Sequence, residues 1–368
     1  VIKLLIVDDS ALMRKLLAEI FTTDAGFETV TARDGAEALK LVHAFAPDVV
    51  TLDVNMPGMD GLACLDRIML ERPCPVVMVS SLTAGGAQET LKALALGAVD
   101  FFQKPTGAIS LKLEDLAPAL VEKVKCAAGA RFRRSHRLGE RIRGAAALGG
   151  RVVRREFSAR SPANAAPRGS GSGAQELQGL VLVGCSTGGP PALDALLTTL
   201  PADFPWPVVV AQHMPATFTG ALAERLDGLC ALDVVEVTRP MLLQPGCVYI
   251  GKGDADVVIG VRPAGVTVLS APEKPEHRWH PSVDRLVDSA LARIDAARLV
   301  GVLMTGMGYD GAAAMTRVRD GGGHTIAEAE ETAVVWGMPG ELVRAGGAEF
   351  VAPLDRIGAK LLALAAKA

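Results

Sequence analysis

The chain has 368 residues, room for two domains of ordinary size, and its 49% apolar and 21% charged side chains make it too apolar for a disordered polymer. A net charge of −3 offers no overall basic field for phosphates or an anionic membrane, and 4% aromatics is a thin supply of stacking platforms for single-stranded nucleic acid. Six cysteines (Cys64, Cys74, Cys126, Cys185, Cys230, Cys247) show no C-x-x-C spacing, which excludes a zinc ribbon and points to reduced thiols in a cytoplasmic protein.

In chain order, Leu4–Val7, Val49–Leu52, Val76–Val79 and Phe101–Phe102 predict short buried strands. Helical stripes at Ala11–Phe21, Ala36–Phe45, Leu62–Leu70 and Ala87–Leu96 alternate with them, which predicts a doubly wound parallel sheet. Asp8 and Asp9 lie just past the first strand, Asp53 ends the third, and Lys104 follows the fifth. Strand ends of such a sheet converge on one edge. Three carboxylates there stay ionised most easily around a hard cation such as Mg²⁺, with Asp53 as a nucleophile toward phosphorus and Lys104 as a point charge on the phosphate.

From Cys126 to Ser170 eleven Arg face two Glu, with no Lys or Asp, so this stretch carries a net +9 and the remainder −12. It reads as a linker, with one short helix near Arg131–Arg143; a basic arm for an acidic partner or nucleic acid is the alternative. The longest uncharged stretch, Phe204–Ala223, is broken by Pro205, Pro207 and Pro215, so no membrane insertion is expected. Asp8 and Asp9 come too early for a signal peptide. The expected division is 1–123, a linker 124–176, and a second body 177–368.

The second body repeats the strand-loop-helix grammar at Leu180–Val183, Val208–Ala211 and Leu299–Leu303, while Val234–Leu269 reads as a hairpin-rich insertion containing Val248–Ile250, Val257–Val261 and Val266–Leu269. Gly184-Cys-Ser-Thr-Gly188 fits a G-x-S-x-G turn that would expose Ser186 at the head of a helix. Of six histidines, His213 directly follows a predicted strand and is the best base. Asp310, in a Gly-rich loop past Leu299–Leu303, is the candidate orienter. An Asp254–His280 pair would restore the Ser, Asp, His order of α/β-hydrolases, but neither follows a clear central strand.

Two sets of motifs then carry a resemblance. Asp53-Val-Asn-Met-Pro57, Asp60-Gly61, Val79-Ser80-Ser81 and Phe101-Phe-Gln-Lys-Pro105 resemble the receiver domain of response regulators. That implies phosphorylation of Asp53 by a histidine kinase, Mg²⁺ held by Asp8, Asp9 and Asp53 with the Asn55 carbonyl, and Ser80, Phe101 and Lys104 as switch residues. Gly184-Cys-Ser-Thr-Gly-Gly-Pro190, Ala211-Gln-His-Met-Pro215, His280-Pro-Ser-Val-Asp284, Thr305-Gly-Met-Gly-Tyr-Asp-Gly311 and Gly337-Met-Pro339 resemble the catalytic domain of chemotaxis protein-glutamate methylesterases, the CheB family.

The resemblance implies Ser186 as nucleophile, His213 as base and Asp310 as orienter, with Thr187 and Met307 framing the ester or stabilising the oxyanion. It also implies methylated chemoreceptors as substrates, glutamine deamidation in some members, a receiver that covers the cleft until phosphorylated, and no cofactor in the catalytic half. Tyr309 stands where Asn is usual, Cys185 where Ala is, Gly251-Lys-Gly253 where Ala-Pro-Gly is common, Asp256 where His is frequent, and Asn55 where an acid is frequent. These departures bear on substrate preference and leave open an esterase or amidase of another chemosensory pathway. A non-catalytic response regulator is the remaining alternative.

Overall fold

The computed structural model describes residues 1–80, 84–104, 109–130 and 177–366. In the first body β1 (Ile2–Val7), β2 (Phe27–Ala32), β3 (Val49–Asp53), β4 (Val76–Ser80) and β5 (Asp100–Gln103) form one parallel sheet in the order β2-β1-β3-β4-β5. Every residue of β3 and β4 is buried, as β-branched runs covered on both faces must be. The covering helices are α1 (Ala11–Thr23), α2 (Gly35–Ala44), α3 (Gly61–Glu71), α4 (Ala84–Leu96) and α5 (Ile109–Ala128). Ser10, Asp34 and Asp60 start three of them by accepting from the amides of Met13, Glu37 and Ala63. α5 runs on to Ala128, past residue 123, whereas the helix expected near Arg131–Arg143 lies outside the described residues.

The second body is built on a seven-stranded parallel sheet in the order β15-β14-β13-β6-β7-β10-β8. Its strands are β6 (Leu180–Cys185), β7 (Val208–Gln212), β8 (Asp233–Val237), β10 (Cys247–Gly251), β13 (Leu299–Leu303), β14 (His324–Glu328) and β15 (Phe350–Ala352). A small antiparallel sheet joins β9 (Met241–Leu242), β11 (Asp256–Arg262) and β12 (Gly265–Ala271). Helices α6 (Gly189–Leu197), α7 (Ala216–Leu229), α8 (Val283–Leu291), α9 (Ala312–Asp320), α10 (Met338–Arg344) and α11 (Leu354–Ala365) complete it.

Val248–Ile250 is not part of the hairpin: it lies in β10, parallel between β7 and β8 and buried on both faces. A three-residue apolar run carries no periodicity that could distinguish a central strand from a hairpin arm. The hairpin itself is β11–β12, pairing Val258 with Leu269 and Val261 with Val266.

The two bodies touch. α4 packs on α6 and α7, and the Phe101 ring of β5 lies 4.3 Å from the Phe218 ring of α7. A single buried apolar cluster runs from β3 and β4 through Phe101 and Phe218 to β6 and β7.

Candidate active site

β13, β6 and β7 are neighbours, and the chain leaves β6 for β7 on one side and returns later to β13 on the other. That is a topological switch point, where the strand ends open a crevice. Ser186 follows β6, His213 follows β7, and Asp310 sits in the loop after β13. The ladder extends one step beyond the strands: His213 N donates to Cys185 O (3.1 Å), and Ser186 N to Thr305 O (2.9 Å). Gln212 clamps the same turn, its Nε2 donating to the carbonyls of Ser186 and His213 (3.0 Å each) while the Cys185 thiol donates to its Oε1. Cys185 therefore points into the core, where burial pushes its thiol far above the ordinary value. Close approach explains one glycine: a Cβ on Gly306 would fall 2.8 Å from the Ser186 Cβ.

His213 Nε2 donates to Asp310 Oδ2 at 2.8 Å. That assigns the proton to Nε2 and leaves Nδ1 as a bare acceptor. Nδ1 is buried and makes no hydrogen bond, so the expected contact with the Ser186 hydroxyl is unformed in this arrangement. Catalytic contacts of this kind commonly close only with substrate in place. Asp310 also accepts from Ser282 Oγ (3.1 Å), Val283 N (2.7 Å) and Asp284 N (3.0 Å). Burial pulls its carboxyl upward, but the His213 bond and these amides outweigh that and hold it below the usual range. Asp284 is shifted up, by burial and by the neighbouring Asp310 charge.

Behind Asp310 lies a carboxylate whose role the sequence did not reveal. Asp256, fully buried, accepts from His280 Nδ1 (3.0 Å), Ser282 N (2.8 Å) and the Arg285 guanidinium. It ties down the 280–285 segment that in turn holds Asp310. The alternative pair Asp254–His280 is not formed: Asp254 accepts from Ala216 N, and His280 belongs to Asp256. Trp279 was also missed. Its indole stacks on the His213 imidazole, and Tyr309 stands edge-on to that indole. Thr187 is buried and its hydroxyl donates to Asp100 of β5, in the first body; Met307 is half-buried in the loop beside Ser186.

Glu328, at the end of β14, lies under the crest. Its Oε2 accepts from Thr305 N (2.8 Å), its Oε1 is buried without a partner, and burial pushes its carboxyl up to about 7.

The strand ends of the first sheet gather Asp8, Asp9 and Asp53, with ligand oxygens within 4.8 Å of one another. Lys104 Nζ lies 2.8 Å from both Asp8 Oδ2 and Asp53 Oδ2. Burial, with the Asp8 charge, raises the Asp53 carboxyl even against the pull of Lys104. Asn55 N donates to Asp53 Oδ1 (3.3 Å), and the buried Ser80 hydroxyl reaches Gly86 O. A cleft of about 320 Å³ lined by Asp9, Asn55, Asp60 and Glu89 opens beside them.

Comparison with known proteins decides the family. A protein of Rhodopseudomonas palustris, named protein-glutamate methylesterase/protein-glutamine glutaminase 2, is 58% identical over 98% of this chain and 97% of its own length. The chain belongs to the CheB methylesterase family. The family described as CheB methylesterase matches residues 181–361, and that described as response regulator receiver domain matches 4–114. A second CheB-type relative, protein-glutamate methylesterase/protein-glutamine glutaminase 3 of Rhodospirillum rubrum, is 54% identical over 98% of this chain and 95% of its own. The crystal structure of the Thermotoga maritima CheB methylesterase catalytic domain is 38% identical, covering 50% of this chain and 98% of that one with a TM-score of 0.49. This CheB-type chain is thus a hydrolase coupled to a receiver. Among its described residues no helix is long and apolar enough to cross a membrane.

Proposed function

We propose that this chain hydrolyses glutamyl methyl esters, and the side-chain amides of glutamines, on cytoplasmic segments of chemoreceptors, under control of phosphorylation at Asp53 by a chemotaxis histidine kinase. The observation that carries the reading is the His213–Asp310 pair standing beside Ser186 on one crest of the sheet. Ser186 Oγ attacks the ester carbonyl as Nδ1 of His213 takes its proton. The imidazolium formed is balanced by Asp310, whose lowered pKa keeps it ionised. Thr187 and Met307 frame the carbonyl where the oxyanion develops. Nδ1 returns the proton to the methoxy oxygen, methanol leaves, and water hydrolyses the glutamyl-enzyme by the same route. The carboxylate product restores a negative charge to the receptor, which biases a two-state signalling element.

The contacts between the bodies support a restrained resting form. Asp100 engages the Thr187 hydroxyl, Phe101 packs on Phe218, and Glu122 of α5 pairs with Arg278. Asp100 and Phe101 lie in β5, the strand that Lys104 follows, and Glu122 lies in α5. Three gathered carboxylates are a donor set that suits Mg²⁺, so Asp8, Asp9 and Asp53 would hold it, with the Asn55 carbonyl completing the shell. The ion would neutralise charge on an incoming phosphoryl group. A phosphoryl group on Asp53 adds about −1.5 to −2 charges and three acceptors, which Ser80 and Lys104 satisfy. Pulling them toward the phosphate displaces β5 and loosens Asp100 and Phe101. A full switch from 1:99 to 99:1 needs about 5.5 kcal/mol, so graded activation is expected.

The test is methanol release from methylated receptor membranes, with and without a small-molecule phosphodonor. Wild type releases methanol faster with the donor, and Ser186→Ala loses several orders of magnitude of rate. A Ser186→Ala chain as active as wild type rejects the mechanism.

A further inference from the structure

We propose that Trp279, backed by Tyr309, forms the wall that receives the leaving group, and that this wall makes the site prefer methyl esters to primary amides. The inference rests on the hydrolytic reading above. The Trp279 indole lies parallel to the His213 imidazole, with centroids 5.5 Å apart and planes 1° apart. Its benzo edge fits into the loop after β13, where a Cβ on Gly308 (φ +87°) would come within 2.7 Å of Cζ2 and Cη2. Two residues earlier in that loop, Gly306 meets Ser186 in the same way, with Met307 between. One short loop therefore borders both the nucleophile and the indole. The Tyr309 ring stands 5.2 Å from the indole at 79° and is 59% exposed, an aromatic surface that the chemistry does not otherwise use.

The position of the wall determines what it meets. Asp310 occupies Nε2 of His213, so Nδ1 must both collect the Ser186 proton and deliver it to the leaving atom, which then sits about 3 Å from Nδ1. In ester cleavage the Oγ–C bond forms, and the C–OCH₃ bond breaks with its electron pair kept on the methoxy oxygen, which takes the proton as methanol. In amide cleavage the C–N bond breaks, and the nitrogen keeps the pair and takes the proton as ammonia. A methyl on that oxygen lies against the indole stacked over the same imidazole and gains apolar contact. Amide N–H groups placed there lose water to an aromatic face that returns no comparable hydrogen bond. One methyl in an apolar pocket discriminates by about 10- to 200-fold.

Arg278 lies 5.1 Å from the same indole and also pairs with Glu122 of α5, so the comparison is made on the full chain with the phosphodonor present. Methanol and ammonia are measured in parallel from receptor membranes carrying methyl esters and glutamines, for wild type, Trp279→Ala, Trp279→Phe and Tyr309→Ala. Trp279→Ala lowers kcat/KM for methanol at least tenfold more than for ammonia, and Trp279→Phe, which keeps a ring, restores most of the ratio. Tyr309→Ala, at an exposed position, lowers the ratio a few-fold and carries the test if Trp279→Ala does not fold. Equal losses of both products in the Trp279 and Tyr309 variants, or a wild type that releases ammonia faster than methanol, overturn the proposal. Ser186→Ala separates the two readings: if it keeps both products, the hydrolytic reading fails and the wall falls with it.

Discussion

Two carboxyls of the second body lie close to the same crest and are pushed in opposite directions. Asp310 is buried yet lowered, because an imidazole and two amides and a hydroxyl meet its oxygens. Glu328 is buried with one oxygen unmet, and it rises to about 7. For Asp310, Asp310→Asn should leave the fold intact and cut kcat about 10⁴-fold, since the amide removes the partner that fixes the imidazole tautomer; single-turnover kinetics checks this. For Glu328 the consequence is thermodynamic. Its folded pKa exceeds its unfolded value, so between about 4.5 and 7 the folded chain binds the extra proton and stability falls as pH rises through that window. The cost is complete above about 7, at roughly 3 kcal/mol. Denaturant unfolding of Glu328→Gln should show that slope removed and a gain at pH 8; an unchanged slope assigns the pH dependence elsewhere. Neither behaviour was legible in the sequence. Glu328 opens what looks like a surface acidic run with Glu330 and Glu331, and only the neighbouring β13 loop reveals it as buried.

At the scale of elements, the site is a set of strand ends fastened by loops. The strands that bear the candidate site were readable because fully buried parallel strands are unbroken apolar runs, and the residue after each run stands at the crest. What was not readable follows the same physics in reverse. β2 mixes polar and apolar residues at a sheet edge, so no unbroken apolar run marks it as a strand. β10 is apolar enough for either sheet, and only pairing decides. The 280–285 segment showed its motif but not its purpose, because the carboxylate that holds it comes from β11. Asp256→Ala would free this segment and leave Arg285, 16% exposed, without its partner. A loss of about 3–5 kcal/mol in stability is expected, together with a fall in kcat as Asp310 loses its fixed amides. Calorimetry and methanol release measure the two effects. Full kcat in a destabilised Asp256→Ala chain contradicts the positioning role.

Across the whole molecule, the receiver meets the second body through α4, β5 and α5, and the buried apolar cluster is continuous through that contact. The sequence showed both bodies by their motifs, but it could not show which face of one meets the other: Asp100 carries no motif, and while Lys123 pairs with one of its oxygens inside the first body, the other meets Thr187 across the interface. Asp100→Ala leaves a buried Thr187 hydroxyl unpaired in the docked form, a penalty of about 1–3 kcal/mol. Methanol release without phosphodonor should rise roughly tenfold, a fold-change within that range, and the stimulation by donor should shrink. An unaltered basal rate argues that Asp100 does not restrain the site.

The most direct measurement of the central claim is the time course of methanol release from methylated receptor membranes by the full chain, wild type against Ser186→Ala and Asp53→Asn, with phosphodonor added midway. Wild type should show a slow rate that accelerates on addition, Asp53→Asn a slow rate without acceleration, and Ser186→Ala no release above background. Release by Ser186→Ala at the wild-type rate would contradict the claim.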